Sequence, residues 1–249
     1  MDVTHDRSDV KELVRERYGE RARQAAAGPT SEMCCGPSAI YSPLELQGLP
    51  QTVTAASAGC GDPTAMAGIR EGEVVLDLGS GGGIDCFIAS RQTGKSGRVL
   101  GVDMTSDMVQ LATRNARKLR ASNVDFMLGE LEKLPLASGS VDVIVSNCVI
   151  NLSPDKDSVF REAFRVLKPG GRLHVSDIVL ERELPDEVRR DAEQLVGCIA
   201  GADLQDIYLD RMRSVGFTNV LVREAVPYGD CGDTTGVVSA KVEATRPSA

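Results

Sequence analysis

The spacing of hydrophobic positions changes along the chain. Between Asp9 and Ala27, Val10, Leu13, Val14 and Tyr18 recur at three- and four-residue intervals with charges opposite, which predicts an amphipathic helix closed by Gly28–Pro29. From Thr30 to Gly68 the periodicity fades, Pro and Gly recur, and only Pro43 to Leu49 suits a turn or two of helix. A stretch this long without regular structure in a compact domain is usually functional or disordered, and here it reads as a lid. From Val74 the pattern becomes regular. Strands are predicted over Val74–Leu78, Arg98–Val102, Val124–Leu128, Val141–Ser146 and Arg172–Ser176. Helices are predicted over Ile84–Gln92, over Ser106–Arg120 with Ser106 as N-cap, and over Asp155–Leu167, stopped by Lys168–Gly171. This alternation predicts an α/β fold with a mostly parallel twisted sheet and helices on both faces. Leu184–Gly201 breaks the rhythm and reads as an inserted cap, helical from Pro185 to about Val196. A helix over Leu204–Val215 and strands over Phe217–Arg223 and Val237–Val242 close the domain. The expected division is 1–70 for helix and lid, 71–182 for the core, 183–202 for the cap and 203–249 for the closing elements.

The first strand runs into VVLDLGSGGG, residues Val74 to Gly83. Strand, glycine turn and helix in that order let a ligand approach the backbone closely beside free helix N–H groups. A dinucleotide turn, G-x-G-x-x-G, needs glycine at position 84, where this chain has Ile84. What fits is D-x-G-x-G-x-G, which resembles the first motif of S-adenosylmethionine (SAM) methyltransferases. Asp103 sits just after the second strand, about 20 residues past the turn, where an acidic side chain reaches ribose hydroxyls in doubly wound folds. The expected fold is the Rossmann-like class I SAM-dependent methyltransferase, with N-terminal lid and inserted cap.

Composition narrows the partners. The chain has 249 residues, 42 % hydrophobic and 26 % charged, with a formal net charge of −8. Lys and Arg are scattered, so nucleic acid is not expected. No apolar run reaches the ~18 residues of a membrane span, and the charged N-terminus does not read as a signal peptide. Seven Cys, an odd number, then predict a cytoplasmic protein with reduced thiols. Two His and no C-x-x-C leave no ordinary zinc spacing.

The thiols carry the candidate chemistry. Cys86 lies on the apolar face of its helix and reads as core packing. Cys148 follows the fourth strand, at the carboxyl end where open α/β sheets bind ligands, beside Asn147. Cys60 lies in the lid, where Ala58–Pro63 reads as a tight loop that fixes one thiol, and Cys198 in the cap; Cys60 is expected to be the least fixed of the three. Both segments are expected to fold over the same strand ends. Three convergent thiolates suit a soft, trivalent, thiophilic centre such as arsenic(III). Three sulfurs leave arsenic a lone pair that can attack a sulfonium methyl, so no general base is needed.

Six stretches together resemble the arsenite SAM methyltransferase family: AGCGDP, VVLDLGSGGGIDCF, GVDMTSDMVQLA, SVDVIVSNCVINLSPDK, FREAFRVLKPGGRLHVSDIV and VGCIAGA. The resemblance runs from about Cys34 to Ala202. It implies that the arsenic-binding cysteines are Cys60, Cys148 and Cys198, and that the redox cysteine is Cys34 or Cys35. It implies methylation of arsenite and methylarsenite by SAM in arsenic detoxification, an external thiol reductant such as thioredoxin or glutathione, and a monomer. Cys231 matches no motif. For SAM, resemblance and chemistry agree: Gly79, Ser80 and Gly81 approach the methionine part and Asp77 orients it. Asp103 takes the ribose hydroxyls, Met104 packs on adenine, Glu130 and Leu131 read its edge, and Asn147 floors the site. Three alternatives stay open: a SAM methyltransferase for another small-molecule acceptor, which would not need Cys148; a thiol module that sequesters arsenic or another thiophilic ion, which would not need Asp77, Asp103 or the glycine turn; and a SAM-fold protein kept for partner binding.

Overall fold

The computed structural model describes residues 7–28, 40–185, 188, 198–228 and 236–248. Cys34, Cys35, Cys231 and most of the expected cap helix lie outside these residues.

One seven-stranded sheet carries the fold, with strand order β3-β2-β1-β4-β5-β7-β6. The strands are β1 (Val74–Leu78), β2 (Arg98–Asp103), β3 (Val124–Leu128), β4 (Val141–Asn147), β5 (Leu167–Leu180), β6 (Thr218–Pro227) and β7 (Val237–Thr245). The first five run parallel, and β7 pairs antiparallel with both β5 and β6. The middle strands read as continuous apolar runs because helices cover both faces: Val75, Leu76, Leu78, Val143, Ile144 and Val145 are fully buried. The helices are α1 (Arg7–Ala27), α2 (Pro43–Leu46), α3 (Gln51–Ala56), α4 (Ile84–Thr93), α5 (Ser106–Leu119), α6 (Lys156–Val166) and α7 (Gln205–Val215). Chain order reverses between β1 and β4, and the crevice at their carboxyl ends is where such sheets bind ligands.

Three differences from the sequence expectation bear on the site. β5 continues past Ser176 to Leu180, because β7 supplies Asp177–Leu180 with antiparallel partners after β4 has ended at Asn147. Thr105, not Ser106, is the N-cap of α5 and makes no side-chain cap bond; its N–H donates to Asp103 Oδ1 at 2.8 Å. The lid holds two short helices. α2 is closed by a reciprocal cap between Ser42 and Glu45 and ends at Leu46. α3, too short to show a period, buries Val53 and Ala56. On α1 the inward stripe is Val14, Ala22 and Ala25, and the two alanines share a cluster with Met108 and Leu111 of α5.

Candidate active site

The glycine turn is shaped by its neighbours. Gly79 has φ +68°, a conformation L side chains rarely adopt, and a Cβ there would collide with Val149. The Gly79 and Ser80 amides donate to Val102 O at 2.8 and 3.0 Å, and Gly81 N–H donates to Asp103 Oδ2 at 2.9 Å. Asp103 thus ties the turn to the start of α5. Burial pushes its carboxyl above the usual range, against the pull of the Thr105 and Gly81 amides. Ser80 lines the cavity, while its Oγ is turned inward, buried without a hydrogen-bond partner among the described residues. Asp77 is not on that wall. It is 2 % exposed, and the Cys86 thiol donates to its Oδ2 at 3.2 Å. Burial raises both groups well above their ordinary values, favouring the neutral form of each. Cys86 packs in the core as expected and is in addition the partner of a buried acid.

Asn147, the last residue of β4, organises the other side. Its Oδ1 accepts from Cys60 N at 3.0 Å and Gly61 N at 3.3 Å. Its Nδ2 lies 2.5 Å from Gly61 O, 2.9 Å from Tyr41 Oη and 3.3 Å from Asp85 Oδ2. A Cβ at Gly59 would strike this side chain, so the loop sits directly on it. Ser239 Oγ donates to Cys60 O at 2.9 Å, and buried Asp62 folds the next turn through Thr64 and Ala65. The segment around Cys60 is thus held from β4, β7 and within. The tight loop expected over Ala58–Pro63 is thus present, and Cys60, expected to be the least fixed of the three thiols, is firmly held.

The three predicted thiols come together. Cys60 and Cys148 are joined in a disulfide with Cα atoms 5.8 Å apart, so the expectation of reduced thiols fails for this pair. The Cys198 thiol donates to Cys148 O at 2.8 Å. All three belong to one cluster with Val14, Tyr18 and Met104. Cys148 and Cys198 are 5 % and 3 % exposed, while Cys60 is half-buried. Cys148 and Cys198 have φ +53° and +67°, in the left-handed region that costs a residue with a side chain ~1–2 kcal/mol. Burial raises the Cys198 thiol well above its ordinary value. Among the described residues no group of three His, Cys, Asp or Glu side chains is arranged to hold a metal ion; with two sulfurs bonded to each other, the three thiols do not form one either.

The glycine turn and Cys148 open on one cleft of about 890 Å³, its mouth included, while Cys60 and Cys198 lie behind Cys148 and do not line it. Gly79, Ser80, Gly81, Asp103, Met104, Leu131, Asn147 and Cys148 line it. Glu130 does not: its carboxylate faces α1 and pairs with Lys11 at 2.8 Å and Arg15 at 2.5 Å. Glu132, two residues on, takes the wall position. Sequence reasoning also missed Lys11, Val14 and Tyr18 of α1, which roof the cleft, and Tyr41 and Asp85 beside the turn. The apolar stripe on α1 was the available signal, since it had to face something.

Comparison with known proteins fits this geometry. A methyltransferase-domain family profile matches residues 69–216. The arsenite methyltransferase of Halobacterium salinarum is 39 % identical, over all of this chain and 69 % of its own length. That of Aquipseudomonas alcaligenes is 42 % identical, over 88 % of this chain and 65 % of its own. The chain belongs to the arsenite methyltransferase family. The crystal structure of CrArsM, an arsenic(III) S-adenosylmethionine methyltransferase from Chlamydomonas reinhardtii, superposes with TM-score 0.73 at 37 % identity, over 82 % of this chain and 72 % of that one. The chain spans about two thirds of the length of the two bacterial and archaeal family members.

Two expected results follow for this family member. Asp103→Ala removes the acceptor of the Gly81 and Thr105 amides and should weaken SAM binding by ~1–3 kcal/mol, with arsenite binding intact. Calorimetry with each ligand checks this; unchanged SAM affinity would take Asp103 out of the site. The second concerns pH. Burial raises Asp85 and Asp177 to about 7 each. Folded protein then keeps protons that the unfolded chain has released above pH ~4, so stability falls as pH rises through the window from ~4 to ~7. His174, buried with neither ring nitrogen bonded, is pushed down to about 4 by burial and by Arg172, and it opposes this trend only below its unfolded value of ~6.5. The urea midpoint should therefore drop between pH 6 and 7.5, and Asp177→Asn should flatten the drop. A midpoint that rises over that interval contradicts it.

Proposed function

We propose that this protein transfers methyl groups from SAM to trivalent arsenic held by Cys60, Cys148 and Cys198. The observation that carries the reading is the meeting of these three cysteines, distant in sequence, beside the glycine turn. The residues present suit SAM: a Cβ at Gly81 would meet nothing within 4 Å, so the turn leaves open space there, and Gly79, Ser80, Gly81 and Asp103 line the cleft. Gly79, Ser80 and Gly81 would hold its methionine end, Asp103 its ribose, and Met104 and Leu131 its adenine. When bound, SAM supplies an electrophilic methyl group on a sulfonium sulfur.

The protein's part begins with reduction. The Cys60–Cys148 disulfide takes two electrons and two protons from an external dithiol or two monothiols, such as thioredoxin or glutathione in the cytoplasm, which leave as a disulfide. Three thiols then displace three hydroxides of As(OH)3 as water, with no net proton release. The arsenic lone pair points away from the three sulfurs and is the nucleophile. Methylation formally oxidises arsenic, so a further two-electron thiol reduction returns it to the trivalent state.

The test is direct. Reduced protein with SAM, thiol and arsenite should yield methylarsenicals by chromatography with arsenic detection. No methylarsenical, with turnover on a carbon, oxygen or nitrogen acceptor, would overturn the reading. For the redox step we propose Cys34 or Cys35 as the additional thiol. The double variant Cys34→Ser, Cys35→Ser should bind arsenite but stop after about one turnover; full multiple turnover would rule this role out.

A further inference from the structure

We propose that Lys156 is a positioning residue that fixes the Cys198–Asp203 turn and so sets where the Cys198 thiol stands relative to Cys148. As a statement about arsenic, this rests on the function proposed above. Lys156 is the first residue of α6, capped by Asp155. Two local terms oppose it there. A cation at a helix N-terminus meets the positive end of the dipole. Its side chain is also only 11 % exposed, and burial lowers its basicity. A lysine kept against both terms needs a compensating contact.

The contact is with the turn that carries Cys198. Lys156 Nζ donates to Gly201 O at 2.7 Å and lies 3.7 Å from Asp203 Oδ2. Arg211 Nε of α7 donates to the same Asp203 oxygen at 2.9 Å, and Leu180 N of β5 donates to Asp203 O at 2.9 Å. Ala202 N closes the turn on Ile199 O at 3.0 Å. The far end of the turn is thus held by β5 and α7. Among the described residues Lys156 alone supplies a side-chain donor to the backbone of its middle, three residues from Cys198. At its start Cys198 keeps its left-handed backbone and its thiol on Cys148 O. Asn151, from the same sequence motif, acts on the other partner. Its Nδ2 donates to Asp177 Oδ1 at 2.9 Å and Ile178 O at 2.6 Å, pinning the 3-10 turn after Cys148 to β5. The stretch NCVINLSPDK therefore holds one ligand and reaches across to hold another.

The experiment compares Lys156→Met and Lys156→Arg with wild type, all fully reduced. X-ray absorption at the arsenic edge should show three sulfurs in wild type, two sulfurs and an oxygen in Lys156→Met, and three again in Lys156→Arg. Arsenite affinity should fall about 100-fold in Lys156→Met, as for loss of one tethered ligand. SAM affinity should not move. A second readout needs no arsenic: alkylation of Cys198 by N-ethylmaleimide at fixed pH should speed up about tenfold in Lys156→Met and slow again in Lys156→Arg. Three sulfurs with wild-type affinity in Lys156→Met, no recovery with Arg, or a parallel loss of SAM binding would each overturn the positioning role. Wild type that binds no arsenite, while the alkylation pattern holds, overturns the arsenic reading and leaves the positioning role supported.

Discussion

Cys148→Ser should abolish methylation of both arsenite and methylarsenite, and Cys60→Ser should abolish only the first. Arsenite has three exchangeable bonds. Methylarsenite has two, because its carbon bond does not exchange, so one thiol must be idle in the second methylation. Cys148 and Cys198 form the inner pair: both are buried, both have left-handed backbones, and the thiol of one rests on the carbonyl of the other. Cys60 is half-buried and approaches from the lid side. It is the sulfur whose place a methyl group can take. Activity losses of at least ~10³-fold are expected where a required thiolate is lost. Separate assays on the two substrates decide the matter. A Cys60→Ser enzyme that methylates arsenite at the wild-type rate would overturn the three-sulfur site. A Cys148→Ser enzyme active on both would return the protein to the ordinary small-molecule methyltransferases.

What the sequence made legible was local. β1 and β3 have the expected bounds because each is a short apolar run flanked by polar or glycine residues. The glycine turn and Asp103 were legible because a strand, a turn and a second strand fix them within about 25 residues. What was lost depended on tertiary partners, most of them far away in the chain. β5 is longer than its own pattern shows because β7 pairs with it. Asp77 looked like a ligand group and is instead shut in by a thiol nine residues on. Glu130 looked like the adenine reader, but Lys11 and Arg15 of α1 turn it away and Glu132 takes the wall. The tight loop around Cys60 was legible from its glycines and proline, but what holds it was not. Its order comes from Asn147 and Ser239, 87 and 179 residues away.

Asn147→Ala should therefore cost more than a wall residue would. The amide is the contact that joins the Cys60 loop, Tyr41 and Asp85 to the end of β4. Alanine leaves the Cys60 and Gly61 N–H groups and Gly61 O without that partner, and a stability loss of roughly 2–4 kcal/mol is expected from the unmade bonds. Function should fail unevenly. The loop no longer presents Cys60, so arsenite affinity should fall well below that of methylarsenite, which the inner pair still holds. Asn147→Asp separates shape from charge. It keeps acceptors for both N–H groups but sets a second carboxylate against Asp85, whose own carboxyl burial already raises to about 7. Like charges at that spacing disfavour double ionisation, so Asn147→Asp should come closest to wild type at pH 6 and weaken towards pH 8. Urea midpoints and arsenite titrations at both pH values measure this. If Asn147→Ala binds arsenite as wild type does, the loop is held by Ser239 and Asp62 alone, and Asn147 is only a neighbour of the site.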